Sequence, residues 1–175
     1  AATRPFHQRA GKVPGVVQAE RFDWSGTTAA YWDSEPENLG GLYRPAAGVD
    51  IVEAGGGDVS LVIGYTRPNE WTVYTVDVAA DAEYDVEVRT SALPTPAGGA
   101  VGQLQLVWDG AFCSSGSGTD LTGGLWNVPV TGAWEAFVVS RVTPEPRVLT
   151  AGRHTLRLCI YGGFFNIDYV RFTTA

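Results

Sequence analysis

From Val16 onward, apolar and polar residues alternate in short runs broken by Gly, Pro, Asn and Asp. In Tyr84-Asp-Val-Glu-Val-Arg89, Tyr84, Val86 and Val88 share one face, and Asp85, Glu87 and Arg89 share the other. Thr155 to Tyr161 puts Leu156, Leu158 and Ile160 on one side, with Thr155, Arg157 and Cys159 opposite. A period of two, β-branched enrichment and no sustained 3.6-residue pattern predict strands. Segments 71–78, 103–108, 136–142 and 166–173 read the same way. So many short strands in one domain's length hide their edges by pairing sheets face to face. The expected fold is all-β, a β-sandwich of jelly-roll type built from two antiparallel sheets.

Phase also sorts the tryptophans. Trp108 alternates with Leu104 and Leu106 and is expected in the core. Trp71 shares a face with Val73, Thr75 and Asp77, opposite Tyr74, Val76 and Val78, so it points outward if the latter set is core. Trp24, Trp32 and Trp126 fall in loops, where they either rim a site or simply pack. Residues 1–14 lack periodicity and are bracketed by Pro5 and Pro14, which predicts a linker or a strap lying on a single domain of residues 15–175.

The 175 residues hold 12 Lys plus Arg against 19 Asp plus Glu, a formal charge of −7. That balance argues against a nucleic-acid partner. No stretch approaches about 18 consecutive apolar residues, so neither a membrane-spanning helix nor a membrane partner is expected. The absence of Met, including at position 1, reads as a mature or excised fragment. The strap is the exception to the acidity: it carries Arg4, Arg9 and Lys12 and no acid. Nine basic residues then face all nineteen acidic ones in the remainder, a charge of −10.

Cys113 and Cys159, an even pair in an acidic, lysine-poor chain, suggest an oxidising, extracellular setting; the alternative is two buried free thiols. Cys159 lies on the polar face of its strand, and Cys113 opens the loop Cys-Ser-Ser-Gly-Ser-Gly118, which has nothing hydrophobic to hold it. A bridge between them would staple that loop, contributing at most roughly 4 kcal/mol on the chain-entropy model.

Val17-Gln-Ala-Glu-Arg-Phe-Asp23, Gly64-Tyr-Thr-Arg-Pro-Asn-Glu-Trp-Thr-Val-Tyr-Thr-Val-Asp-Val78, Val130-Thr-Gly-Ala-Trp134, Ala151-Gly-Arg-His-Thr-Leu-Arg-Leu158 and Gly162-Gly-Phe-Phe-Asn-Ile-Asp-Tyr-Val170 occur in this order. Their order and spacing resemble the family 6 carbohydrate-binding modules appended to secreted polysaccharide-degrading enzymes, over roughly residues 15 to 173. Tyr43-Arg-Pro and Val49-Asp-Ile51 look like the subgroup found with glucanases and agarases.

The resemblance implies a secreted, non-catalytic module that targets a catalytic domain of the same parent chain to a polysaccharide or oligosaccharide. A β-1,3-glucan is the preferred ligand, with agarose or xylan as alternatives. Tyr65 and Trp134 would sandwich one sugar at the loop end, with Asn166 hydrogen-bonding its rim. A pyranose has an apolar C–H face and a hydroxyl rim, so it needs such plates and polar groups. An acidic residue from the upstream loop completes such sites; Glu53 is the candidate and Asp50 the alternative. Trp71 resembles the sheet-face site of some members, although Val73 stands where they often carry an acid.

Phase also suggests a cation. Asp168 falls with Val170 and Phe172, and Gln18 and Glu20 fall with Phe22. Carboxylates on inward faces must be paired or bound to a cation, and oxygen-only ligands suit Ca²⁺. The resemblance implies the same structural calcium, held by Gln18, Glu20 and Asp168. A salt bridge to Arg21 or Arg171 is the alternative, but alternation turns both to the opposite face. A jelly-roll hydrolase or lyase is the rival function, since Glu53 with Asp50 or Glu70 gives a carboxylate pair. No sequence pattern supports that pair, and neither a Gly-x-Ser-x-Gly elbow nor a His-rich metal site is present.

Overall fold

The computed structural model describes residues 3–25, 29–95, 101–114 and 116–175. Ala1 and Ala2 of the strap, and Ser115 of the loop opened by Cys113, lie outside the described residues. The strands in chain order are β1 (Gly11–Val13), β2 (Gly15–Gln18), β3 (Tyr31–Trp32), β4 (Ile51–Gly55), β5 (Asp58–Ile63), β6 (Trp71–Val78) and β7 (Ala82–Ser91). There follow β8 (Gln103–Trp108), β9 (Thr119–Asp120), β10 (Trp126–Asn127), β11 (Val138–Arg141), β12 (Arg147–Leu149), β13 (Gly152–Gly162) and β14 (Asn166–Thr174). The first sheet has the order β1-β6-β13-β8-β10, with β3 beside β6 and β9 beside β8. The second runs β11-β7-β14-β5-β4, with β12 beside β7 and β2 beside β14.

The alternating runs explain this pairing. Tyr74, Val76 and Val78 of β6, Leu156, Leu158 and Ile160 of β13, and Leu104, Leu106 and Trp108 of β8 form one inner face. Tyr84, Val86 and Val88 of β7 and Ile167, Val170 and Phe172 of β14 form the other. The two faces bury each other as a β-sandwich, the packing an alternating sequence demands. Alternation did not announce the β4–β5 hairpin, which turns through Gly55, Gly56 and Gly57, all at positive φ.

The strap packs on this frame. β1 lies parallel to β6, Arg4 pairs with Trp24 through two backbone hydrogen bonds, and Phe6 is buried. Beneath it sits Arg44, only 8% exposed, with its guanidinium 3.5 Å from the Phe22 ring centre, 4.4 Å from Phe6 and 4.8 Å from Trp24. It donates to the carbonyls of Phe22 and of Asp23, the latter at 2.9 Å. A buried cation needs such acceptors and ring faces, because desolvation is otherwise prohibitive. Burial draws its pKa down to about 10.

Cys113 and Cys159 form a disulfide. Cys159 points away from the core, and the bridge pins the loop after β8 onto the outer face of the first sheet. Arg157 donates to the carbonyls of Gly110 and Ala111, and the Tyr161 hydroxyl donates to that of Cys113. Cys159, Val107 and Gln105 are consequently buried.

At the loop end of the sandwich, one residue joins two loops. The Thr66 hydroxyl donates to the Phe165 carbonyl at 2.8 Å and accepts the Phe165 amide at 3.0 Å. The Phe164 amide donates to the Thr66 carbonyl at 2.7 Å. Such close approach requires Gly163, since a Cβ there would lie 2.3 Å from the Thr66 carbonyl oxygen. Beside this clamp the loop leading into β4 carries carboxylates. Asp50 accepts from the Leu39 amide, Asp33 from that of Glu35, and Glu70 from Ser34. Arg67 pairs with Glu35 at 2.7 Å. Burial, reinforced by the neighbouring acids, pushes the Asp33 carboxyl up to about 7 and that of Asp50 to about 6.

Thr66→Val removes both hydroxyl bonds and strands buried polar groups of Phe165, so stability should fall by about 1–3 kcal/mol, as read in denaturant melts. Asp33 and Asp50 take up protons in the folded state at a pH where the unfolded chain does not. Stability from these groups therefore rises as pH falls through about 7 and is fully present only below the unfolded pKa near 4. Thermal melts at pH 8 and pH 5 should show a higher Tm at pH 5, and Asp33→Asn should raise the pH 8 value and flatten the difference.

Candidate functional site

Four elements converge on the hollow at the loop end. Tyr65 enters from the β5–β6 loop, whose preceding Gly64 donates its amide to the Asp50 carbonyl at 3.0 Å. The fit at Gly64 is tight, because a Cβ would stand 3.0 Å from Asn166 Oδ1 and from Val52. Trp134 ends the turn Thr131-Gly132-Ala133, where Thr131 and Gly132 both donate their amides to the Ala92 carbonyl. The Thr131 hydroxyl in turn accepts the Ala92 amide at 3.0 Å. The Trp134 carbonyl is held by the Ser91 hydroxyl at 2.6 Å and Asn166 Nδ2 at 3.4 Å. Glu53 comes from β4 and is exposed.

Tyr65, Trp134, Asn166 and Glu53 line one hollow of about 270 Å³, together with Val52, Ala54 and Phe164. Tyr65 is 56% exposed, Trp134 39% and Phe164 61%, so the rings present area to solvent instead of filling the core. Tyr65 and Phe164 both sit in the left-handed region, at φ +49° and +65°. A non-glycine residue there costs about 1 kcal/mol, and such strain persists where surrounding bonds over-determine it. Thr66 supplies those bonds for both. The arrangement offers aromatic faces, an amide and a carboxylate within one small concavity, which suits a polyol ring.

Phe164 was missed from the sequence. Its signal was Gly162-Gly163 ahead of two phenylalanines, only one of which a strand's inner face can take: Phe165 is fully buried and Phe164 is turned out.

Two candidates lie elsewhere. Asp50 is 3% exposed, gives its carboxylate to the Leu39 amide and does not line the hollow, so the upstream carboxylate at this place is Glu53. Asp50 is turned inward because its own segment anchors the 39–50 loop. Trp71 lies on the outer face as phase predicted, but Arg157 stands over its ring at 4.3 Å. It borders a separate hollow of about 280 Å³ with Phe112, Cys113 and Tyr161, beneath the disulfide-pinned loop.

The expected cation ligands depart from simple alternation. Ile167 faces Thr90 and Tyr169 faces Arg89, so Asp168 is the extra residue of a β-bulge and does not share the inner face of Val170 and Phe172. It pairs instead with Arg89 at 2.5 Å, and Arg89 also holds Asp58 at 2.9 Å. Glu20 sits on a single 3₁₀ turn, Ala19–Arg21, rather than a strand. That turn brings Arg21 Nε within 3.7 Å of Glu20, while Arg171 pairs with Glu87. Arg171 is therefore on the outer face as alternation predicted, and Arg21 alone departs from it by reaching Glu20.

Burial raises the Glu20 carboxyl to about 7, with the Asp168 charge adding to the rise. Its Oε2 is buried and has no hydrogen-bond partner among the described residues. Gln18 lies at the end of β2, paired with Tyr169 of β14. An orphaned buried carboxylate oxygen beside a second carboxylate fits a hard cation with oxygen ligands, although Arg89 already occupies one oxygen of Asp168.

Solved structures share this fold. No curated protein sequence matches the chain. Among solved structures, a β-1,3-glucan-binding module from Bacillus halodurans is 22% identical, with a TM-score of 0.58 over 95% of this chain and 100% of that one. A module of Cellvibrio mixtus lichenase 5A in complex with cellotriose is 17% identical, with a TM-score of 0.59 over 93% of this chain and 98% of that one. The C-terminal module of a marine laminarinase from Zobellia galactanivorans is 21% identical, with a TM-score of 0.56 over 72% and 88%. At these identities the likeness shows the fold. The sequence profile of carbohydrate binding module family 6 matches residues 42–174, and the chain belongs to that family.

Proposed function

We propose that this module binds a neutral polysaccharide, a β-1,3-glucan, at the hollow lined by Tyr65, Trp134, Phe164, Asn166 and Glu53. The observation that carries the reading is the gathering of three exposed rings, two of them on strained backbone, around one concavity. At 270 Å³ the hollow falls just under the range of about 300–1,000 Å³ that encloses drug-sized ligands. It takes one sugar ring, with the rest of the chain outside. The glucan preference is supported by the Bacillus halodurans module, which binds β-1,3-glucan, and by the laminarinase to which another similar module belongs. Agarose and xylan are the competing ligands.

Burying on the order of 100 Å² of apolar surface against a ring contributes about 2–3 kcal/mol. After the cost of association, roughly millimolar to micromolar affinity remains. Attachment to a catalytic domain in a secreted parent protein makes that sufficient, since linkage supplies effective concentration. The disulfide supports the extracellular setting. The role is non-catalytic. Hydrolysis asks for two carboxylates across the bond, and among the described residues Glu53 is the one carboxylate lining the hollow. A structural calcium, held by Glu20 and Asp168 with Gln18 as a further oxygen ligand, would tie the 3₁₀ turn to β14.

Trp134→Ala should weaken binding to laminarin by at least about tenfold in isothermal titration calorimetry, with an unchanged melting temperature. Retained affinity, or specific release of reducing ends from glucan, agarose or xylan, would count against the reading. Chelation should lower the melting temperature and added calcium should restore it. Glu20→Gln should abolish that response, and a chelator without effect removes the calcium.

A further inference from the structure

We infer that the strap face is a second binding site, for an acidic polysaccharide carrying carboxylate or sulfate groups. Two hollows of about 470 and 770 Å³ share Gln8 and Arg153 and so form one trough along the strap, far larger than the loop-end hollow. Arg4, Arg9, Lys12, Arg21 and Arg153 line it, against Asp23 and Asp77. Five cationic groups against two acids give +3 on a chain whose total is −7.

The two acids are already committed. Asp23 is 1% exposed and accepts the Thr75 amide at 2.7 Å and hydroxyl at 2.6 Å. Asp77 takes Arg153 at 2.9 Å and Lys12 at 3.4 Å. Arg4 and Arg9 have no ion pair among the described residues, and Arg21 stands 3.7 Å from Glu20. The exposed cations therefore outnumber their partners.

The trough also has an aromatic plate. The Arg4–Trp24 bridge sets these two side chains beside each other. The Trp24 ring is braced by Phe6 at 5.1 Å and Arg44 at 4.8 Å, yet it remains 45% exposed. His7 and Gln8, both lining residues, are held at φ +50° and +58°, a pair of left-handed non-glycine residues in a turn closed by the Gln8 amide on the Pro5 carbonyl and the Arg9 amide on that of Phe6. Backbone strain of this kind gathers at ligand-contacting segments. A flat ring beside guanidinium forks matches a sugar that offers a C–H face and an oxyanion. Nucleic acid is the less suitable polyanion. Its charge is dense, at one per about 1.7 Å of duplex, and the body beyond the strap segment is −10. An acidic glycan spaces its charges by whole sugar residues.

The site is independent of the loop-end hollow, and the test separates them. Binding of a neutral β-glucan and of its carboxymethylated and sulfated derivatives is measured in 50 and 500 mM NaCl. Wild type should bind at least one acidic derivative about tenfold more tightly at low salt than the neutral polymer, and lose that excess at high salt. Arg4→Glu with Arg9→Glu should remove the excess and leave neutral binding unchanged. Trp24→Ala should weaken acidic binding, and Trp134→Ala should abolish neutral binding while sparing the salt-sensitive excess. Preference for one derivative would name the oxyanion. The proposal is overturned if wild type shows no excess, if the charge-reversed protein keeps it, or if DNA of matched charge competes as well as the acidic glycan.

Discussion

The loop end of this sandwich depends on the hydrogen bonds between Thr66 and the backbone of Phe164 and Phe165. The Thr66 side chain is fully buried, so those bonds form in a low-dielectric place where leaving them unmade is expensive. They fuse the β5–β6 loop to the segment entering β14, and they over-determine the left-handed backbone of Tyr65 and Phe164. The rings stand out because the chain beneath them has no alternative path. The turn at Thr131–Trp134 is fixed in the same manner, by paired bonds to Ala92. A rigid frame presents the aromatic surface, which keeps the entropic cost of binding low.

Charge is organised around a second constraint. Arg44 is a buried cation enclosed by Phe6, Phe22 and Trp24, with both terminal nitrogens donating to backbone carbonyls. It joins the strap, the segment after the 3₁₀ turn and the loop leading to β4. Because Phe6 is part of that enclosure, the strap is held against the body, and its basic side chains sit at a fixed place on an acidic domain.

Period-two alternation carried most of the framework: strands β6 and β8 match the expected segments end to end, and β7, β13 and β14 enclose them. It also placed Trp108 inside, whereas Tyr65 and Trp134 were expected at the loop end from the family resemblance; both are exposed. Alternation failed where the chain breaks its own period. The bulge at Asp168 adds one residue and moves that carboxylate off the inner face. Glu20 belongs to a 3₁₀ turn, so a strand's phase said nothing about Arg21. Asp50 was undecidable locally, because its partner Leu39 lies eleven residues upstream. Phe164 was overlooked because a Phe-Phe pair reads as core when the clamp beneath it is unseen.

Phe164 and Phe165 are neighbours with opposite obligations. Phe165 is fully buried, and Gly163 just before the pair tolerates no side chain. Phe164, Tyr65 and Trp134 spend much of their surface on solvent. Substitution is therefore unequally costly across three adjacent positions, forbidden at 163 and nearly free of folding consequences at 164. In descent, the shape of the proposed sugar cradle can drift from one glycan to another while the scaffold holding it stays constant.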